Sequence, residues 1–134
     1  MSFSWILPAG RVTTQTYANT WSSADTAVTK EITVPTGKKW LLIQALAYHN
    51  DSVSREIRIT IKDSSNNILS RIAASATSGQ TVAFPCFQLG IHRTGFGLFI
   101  LDEGMKIEFH LYAGSGGNAS GTFTTNLWYL EVDT

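Results

Sequence analysis

From Met105 to Tyr112 the chain reads Met-Lys-Ile-Glu-Phe-His-Leu-Tyr, with Met105, Ile107, Phe109 and Leu111 on one side and Lys106, Glu108 and His110 on the other. Strict alternation of this kind suits a pleated strand with one buried and one wet face, and it does not suit a helix. The stretch Arg55 to Lys62 repeats the pattern with Ile57, Ile59 and Ile61 as its apolar ladder. Asp63-Ser64-Ser65-Asn66-Asn67 then supplies turn chemistry before Ile68-Leu69-Ser70-Arg71-Ile72, which predicts a hairpin. The two alternations place Ile57, Ile59, Ile61, Ile107, Phe109 and Leu111 in the core.

Between Lys39 and Tyr48 the sequence is apolar on both faces. A strand of that type is central and covered on both sides, either between two sheets or against another subunit. Further strands are expected at Arg11 to Ala18, Ala27 to Val34, Thr81 to Leu89, Gly97 to Leu101 and Thr122 to Val132. Helical periodicity is nearly absent, and a short turn over Ser22 to Thr26 is the most the sequence allows. Residues 113–121, rich in Gly and Ser, suit a loop at one end of a sandwich. With 134 residues there is room for one core. The expectation is an all-β, antiparallel, jelly-roll-like β-sandwich of about eight to ten strands. It forms a single domain over residues 11–134, preceded by an N-terminal arm over residues 1–10.

Ten Lys plus Arg balance ten Asp plus Glu, so there is no excess positive field to hold a polyanion, and no nucleic-acid partner is expected. No apolar run is long enough to span a bilayer as a helix, so no membrane partner is expected either. The first residues have no basic region before a hydrophobic run, so no secretory signal is expected. The single cysteine, Cys86, cannot form an internal disulfide and reads as a small buried hydrophobe.

Catalysis needs a nucleophile or an acid/base pair on a shaped turn, and none of the familiar spacings is present. Gly95-Phe96-Gly97 lacks the third glycine and the helix of a dinucleotide loop and reads as a bend. The sequence therefore predicts no enzyme, no catalytic residue, no cofactor and no metal site. His110 and Glu108 share one strand face, which reads as solvated or subunit-contacting rather than as a metal pair. His49-Asn50-Asp51-Ser52 reads as a turn after a strand. Trp40 and Trp128 read as core or interface, while Trp5 and Trp21 are freer. Trp21, His49 and His110 make up the candidate ligand platform, which a carbohydrate- or receptor-binding module would use.

Two stretches carry a family likeness. Ile32-Thr33-Val34-Pro35-Thr36-Gly37-Lys38-Lys39-Trp40 resembles the strand, Pro-x-Gly-Lys turn and strand of small β-sandwich proteins from tailed-bacteriophage virions. Leu101-Asp102-Glu103-Gly104-Met105-Lys106-Ile107, with the Gly/Ser loop and Gly121-Thr122-Phe123 after it, is similar to the late strands of jelly rolls, including the tumour-necrosis-factor-like class. The resemblance implies a virion structural protein of the capsid decoration, head-fibre or minor capsid type. It also implies synthesis in the host cytoplasm, other virion proteins as partners, and a symmetric homo-oligomer, a trimer first. No catalytic or ligand residue carries over.

The N-terminus points to assembly on its own account. Phe3, Trp5, Ile6 and Leu7 form an apolar arm before a hinge at Pro8-Ala9-Gly10. Such an arm either meets a partner or pairs with its own sheet. The expected function is structural, through homo-oligomerisation and docking on a capsid or tail assembly. The alternative is a carbohydrate- or receptor-binding β-sandwich.

Overall fold

The computed structural model describes residues 11–21, 27–85, 99–112 and 121–134. Nine strands follow one another: β1 (Arg11–Trp21), β2 (Ala27–Thr33), β3 (Lys38–His49), β4 (Arg55–Lys62), β5 (Ile68–Ala76), β6 (Val82–Pro85), β7 (Phe99–Leu101), β8 (Lys106–Tyr112) and β9 (Gly121–Asp133). They form two antiparallel sheets. The first has the order β1-β9-β3-β6 with β7 also on β3, and the second has the order β2-β8-β4-β5. Chain-adjacent strands repeatedly change sheet, which is the wiring of a jelly roll. The expected all-β sandwich is present, with β1 extending to Trp21 and β9 to Asp133; of the strands expected at Thr81 to Leu89 and Gly97 to Leu101, Val82–Pro85 and Phe99–Leu101 are strands, and residues 86–89 and 97–98 lie outside the described residues. The arm residues Phe3, Trp5, Ile6 and Leu7, the 22–26 turn, Cys86 and the Gly95–Gly97 bend lie outside the described residues.

Burial follows alternation. Ile57, Ile59 and Ile61 of β4 and Ile107, Phe109 and Leu111 of β8 are all inaccessible to solvent. In register, Ile57 lies opposite Leu111, Ile59 opposite Phe109 and Ile61 opposite Ile107, so each pair fills one rung of the inner face. From the first sheet Trp40, Leu42, Ala45 and Ala47 of β3 and Phe123, Leu127 and Tyr129 of β9 meet them. Trp40 stacks on Tyr129 with ring centroids 3.9 Å apart and planes 23° from parallel. Its indole Nε1 donates to Glu131 Oε2 at 2.8 Å, so the largest core side chain leaves no donor unsatisfied.

The turn before β3 forms as its residues require. Lys38 N donates to Pro35 O at 3.2 Å, and Gly37 supplies the positive φ of 75° at the third position, as in a type II turn. Beside it, Val34 N donates to Met105 O at 2.9 Å and Gly104 N to Val34 O at 3.0 Å, which fixes the register between β2 and β8.

β6 and β7 both run antiparallel to β3 along the same edge. β6 pairs with residues 44–47 and β7 with residues 40–42. They are two pieces of one edge strand. The interruption coincides with a β-bulge of β3 between Leu42 and Gln44, where the ladder with β9 also shifts.

Candidate interaction face

The two outer faces of the sandwich differ in kind. On the second sheet, register sets Glu31 opposite Glu108 and Lys62 opposite Lys106, which alone would repel. The diagonals cancel this. Lys62 Nζ lies 2.5 Å from Glu108 Oε2 and 3.7 Å from Glu31 Oε2, and Lys106 Nζ lies 3.6 Å from Glu31 Oε1. The hydrogen bond from Lys62 to Glu108 holds the lysine above its usual range against the opposing effect of burial. Further along, Arg58 donates to Glu56 at 2.5 Å and to the Tyr112 hydroxyl at 2.9 Å, with its guanidinium carbon 4.4 Å from the Tyr112 ring centroid. Arg71 Nε donates to Thr60 Oγ1 at 3.0 Å. The inner strands of this face carry a lattice of opposite charges, and at its edge Ile68 of β5, opposite Lys62, is 51% exposed.

The outer face of the first sheet has no such lattice. Side by side in register on β3 and β9 stand Leu41 and Leu130, Gln44 and Trp128, Leu46 and Asn126, and Tyr48 and Thr124. None of these eight is acidic or basic. Trp128 is 40% exposed and Ile100, opposite Leu41 on β7, is 52% exposed. Trp40 thus lies in the core as expected. Of the two expected placements, core or interface, Trp128 is not in the core but projects outward, because β9 places Leu127 and Tyr129 on the inner side.

Of the expected ligand platform, His49 and His110 are on different sheets and do not meet. Trp21 ends β1 opposite Gly121, at the end of the sheet where His49 lies opposite Phe123. His49 is fully buried. Its Nε2 lies 2.7 Å from Ala76 O, and its Nδ1 accepts from Asp51 N at 3.2 Å. This pattern matches the tautomer protonated at Nε2. His110 lies on the outer face of the opposite sheet, with Nδ1 2.9 Å from Thr29 Oγ1 and its ring centroid 4.2 Å from that of Tyr112. Burial, then the positive charges of Arg58 and Arg71, push its imidazole below the ordinary range against Glu108 and Glu56.

Sequence reasoning missed the surroundings of His49. Asp51 is buried with Arg55, whose Nε and second terminal nitrogen lie 2.8 and 2.7 Å from Asp51 Oδ2. Burial raises the Asp51 carboxyl, but the Arg55 hydrogen bond and charge and the backbone N–H groups of Val53 and Ser52 outweigh it. The carboxyl sits below its usual range. Ser54 Oγ also donates to Ala76 O, at 3.2 Å, and Gly79 N donates to His49 O at 2.7 Å. The cluster ties the end of β3, the start of β4 and the end of β5 together. A signal was present in the alternation: Arg55 has the same parity as Ile57, Ile59 and Ile61, and an arginine on the inner face requires a buried acid. Among the described residues no three His, Cys, Asp or Glu side chains converge as metal ligands.

No protein-family model matches the chain, and no curated protein does. Among solved structures, the chain is similar to one from the T13 particle of infectious bursal disease virus at 16% identity and TM-score 0.44, covering 93% of this chain and 35% of that one. The Bacillus endospore appendages that form disulfide-linked pili are similar at 11% identity and TM-score 0.41, over 92% of this chain and 89% of that one. PirA is similar at 11% identity and TM-score 0.43, over 84% and 93%. The chain spans about a third of the viral-particle chains it matches, 32% in another case. Likenesses this distant carry no argument about what the chain does.

Proposed function

We propose that the protein is a non-enzymatic structural subunit of a virion, acting through self-association and docking on a capsid or tail assembly. The observation that carries this reading is the contrast between its two outer faces. One neutralises its own charges by Lys62–Glu108, Lys62–Glu31 and Lys106–Glu31 pairs, while the other presents Trp128 and Ile100 beside uncharged residues, with the Lys39–Asp102 ion pair at one end. Exposed aromatic and aliphatic side chains among uncharged polar groups are what a docking face offers. The non-enzymatic part rests on the sequence, in which none of the familiar catalytic spacings is present. Virion location, tailed-phage origin and the trimer rest on the sequence resemblance. Sedimentation velocity from low to high micromolar protein tests the reading. The expected result is a mass rising above the 14.7 kDa of one chain; one-chain mass throughout overturns self-association.

A second reading has one observation in its favour. Trp128 stands between the amide residues Gln44, beside it in register, and Asn126, two positions before it on β9, and an exposed ring flanked by amides suits the face of a sugar. Binding in a glycan screen that disappears in Trp128→Ala would favour that module.

A further inference from the structure

We infer that the outer face of the first sheet receives a second copy of this chain, the two sheets packing face to face about a two-fold axis near Trp128. The inference rests on the self-association reading and assigns its partner and surface, as a two-fold dimer in place of the trimer that the sequence resemblance implies. Charge selects the occupant. The eight positions from Leu41 to Tyr48 on β3 and from Thr124 to Leu130 on β9 contain no acid or base, so this face meets its own copy without like-charge repulsion. The outer face of the second sheet cannot be its mate on equal terms, because covering it would strip water from the Lys62, Glu108, Glu31 and Lys106 charges. Pairing first sheet with first sheet about Trp128 covers an uncharged centre and leaves the Lys39–Asp102 ion pair at the end of the face, beside Val132.

Size agrees. Three strands paired over eleven residues, with β6 and β7 adding four and three along the edge, at about 4.8 Å spacing and about 3.3 Å per residue, give a plane of roughly 600 Å², the low end of what a specific dimer uses. A specific dimer buries about 800 Å² per partner. Position agrees as well. Trp128 lies on β9, an inner strand of that sheet with β1 on one side and β3 on the other. Tryptophan near the centre of a patch is the residue most often found to dominate association. Ile100, on β7 beyond β3, extends the apolar surface toward the sheet edge.

The test uses the full chain in three forms, the natural protein, Trp128→Lys and Trp128→Glu, each followed by sedimentation velocity and checked for an intact thermal transition. Gln44→Lys and Gln44→Glu on the neighbouring strand repeat the test with a smaller change of shape. Each single variant should raise the dimer dissociation constant about thirtyfold or more. An equimolar mixture of the Lys and Glu variants should recover association, because opposite charges then meet across the axis. Dissociation constants unchanged in every variant would place the interface elsewhere and overturn the inference while leaving self-association intact. Weakening in both variants without recovery in the mixture would overturn the two-fold pairing. A natural protein that stays monomeric removes the inference together with the reading beneath it.

Discussion

Asp51 and Arg55 are a buried pair whose value lies in not being separated. Removing one partner leaves the other charge without compensation in the core. Asp51→Asn should therefore cost about 3–5 kcal/mol of stability in urea titration, more than Asp63→Asn at an exposed turn. The carboxyl lies below its ordinary value of about 3.9 in the folded chain, so its contribution is complete above that pH and lost as pH falls through the folded value. Acid unfolding of the natural protein should be steeper below about pH 4 than that of Asp51→Asn. His110 works in the same direction at higher pH. Its folded value is depressed, so its contribution is present above about 6.5 and declines as pH falls, when the ring beside Arg58 and Arg71 must take a proton. The melting temperature should drop between about pH 7.5 and 5.5, and His110→Gln should flatten that slope. An unchanged slope in the variant would assign the effect to another group.

At the scale of the element, β4 and β8 were legible in the sequence because alternation alone decides which side chains are covered. Phe109→Ala, at the middle rung between Ile59 and the first sheet, should cost about 3–5 kcal/mol, read as a lowered urea midpoint. β3 was legible as central from its two apolar faces, but what covers its outer face was not. Leu127-Trp128-Tyr129-Leu130 is apolar in every position, so parity could not say which tryptophan neighbour points inward until β9 was set against β3. The His49 cluster was hidden for a different reason. Its acceptor, Ala76 O, is 27 residues away, and only the closing of β4 on β5 brings it near. Local patterns specify elements; they do not specify which distant carbonyl an imidazole meets. His49 and His110 do not meet on the same account, since His49 is buried on the first sheet and His110 lies on the outer face of the second.

For the whole molecule, the division of labour between the outer faces predicts a response to salt. Association through the first sheet meets at an uncharged centre, with the Lys39–Asp102 pair at its end, so the dimer dissociation constant should change less than about threefold between low salt and about 0.5 M, where charges on a surface are largely screened. A strong weakening with salt would instead implicate the charged face of the second sheet. The same architecture also bears on how the chain can change over time. β6 and β7 each take their register from β3, and the chain leaves at Pro85 opposite Gln44 and resumes at Phe99 opposite Leu42. The template, rather than the connecting stretch, therefore keeps the reading frame of this edge. Replacing residues 86–98 with a linker of about three residues, long enough at about 3.3 Å each to span the gap, should leave a folded sandwich with a cooperative melt. Loss of that transition would show that the stretch is needed for the fold. If the fold survives, the bulge at Ile43 marks a splice point where lineages can lengthen, shorten or exchange sequence while the surrounding sheet reads on in phase.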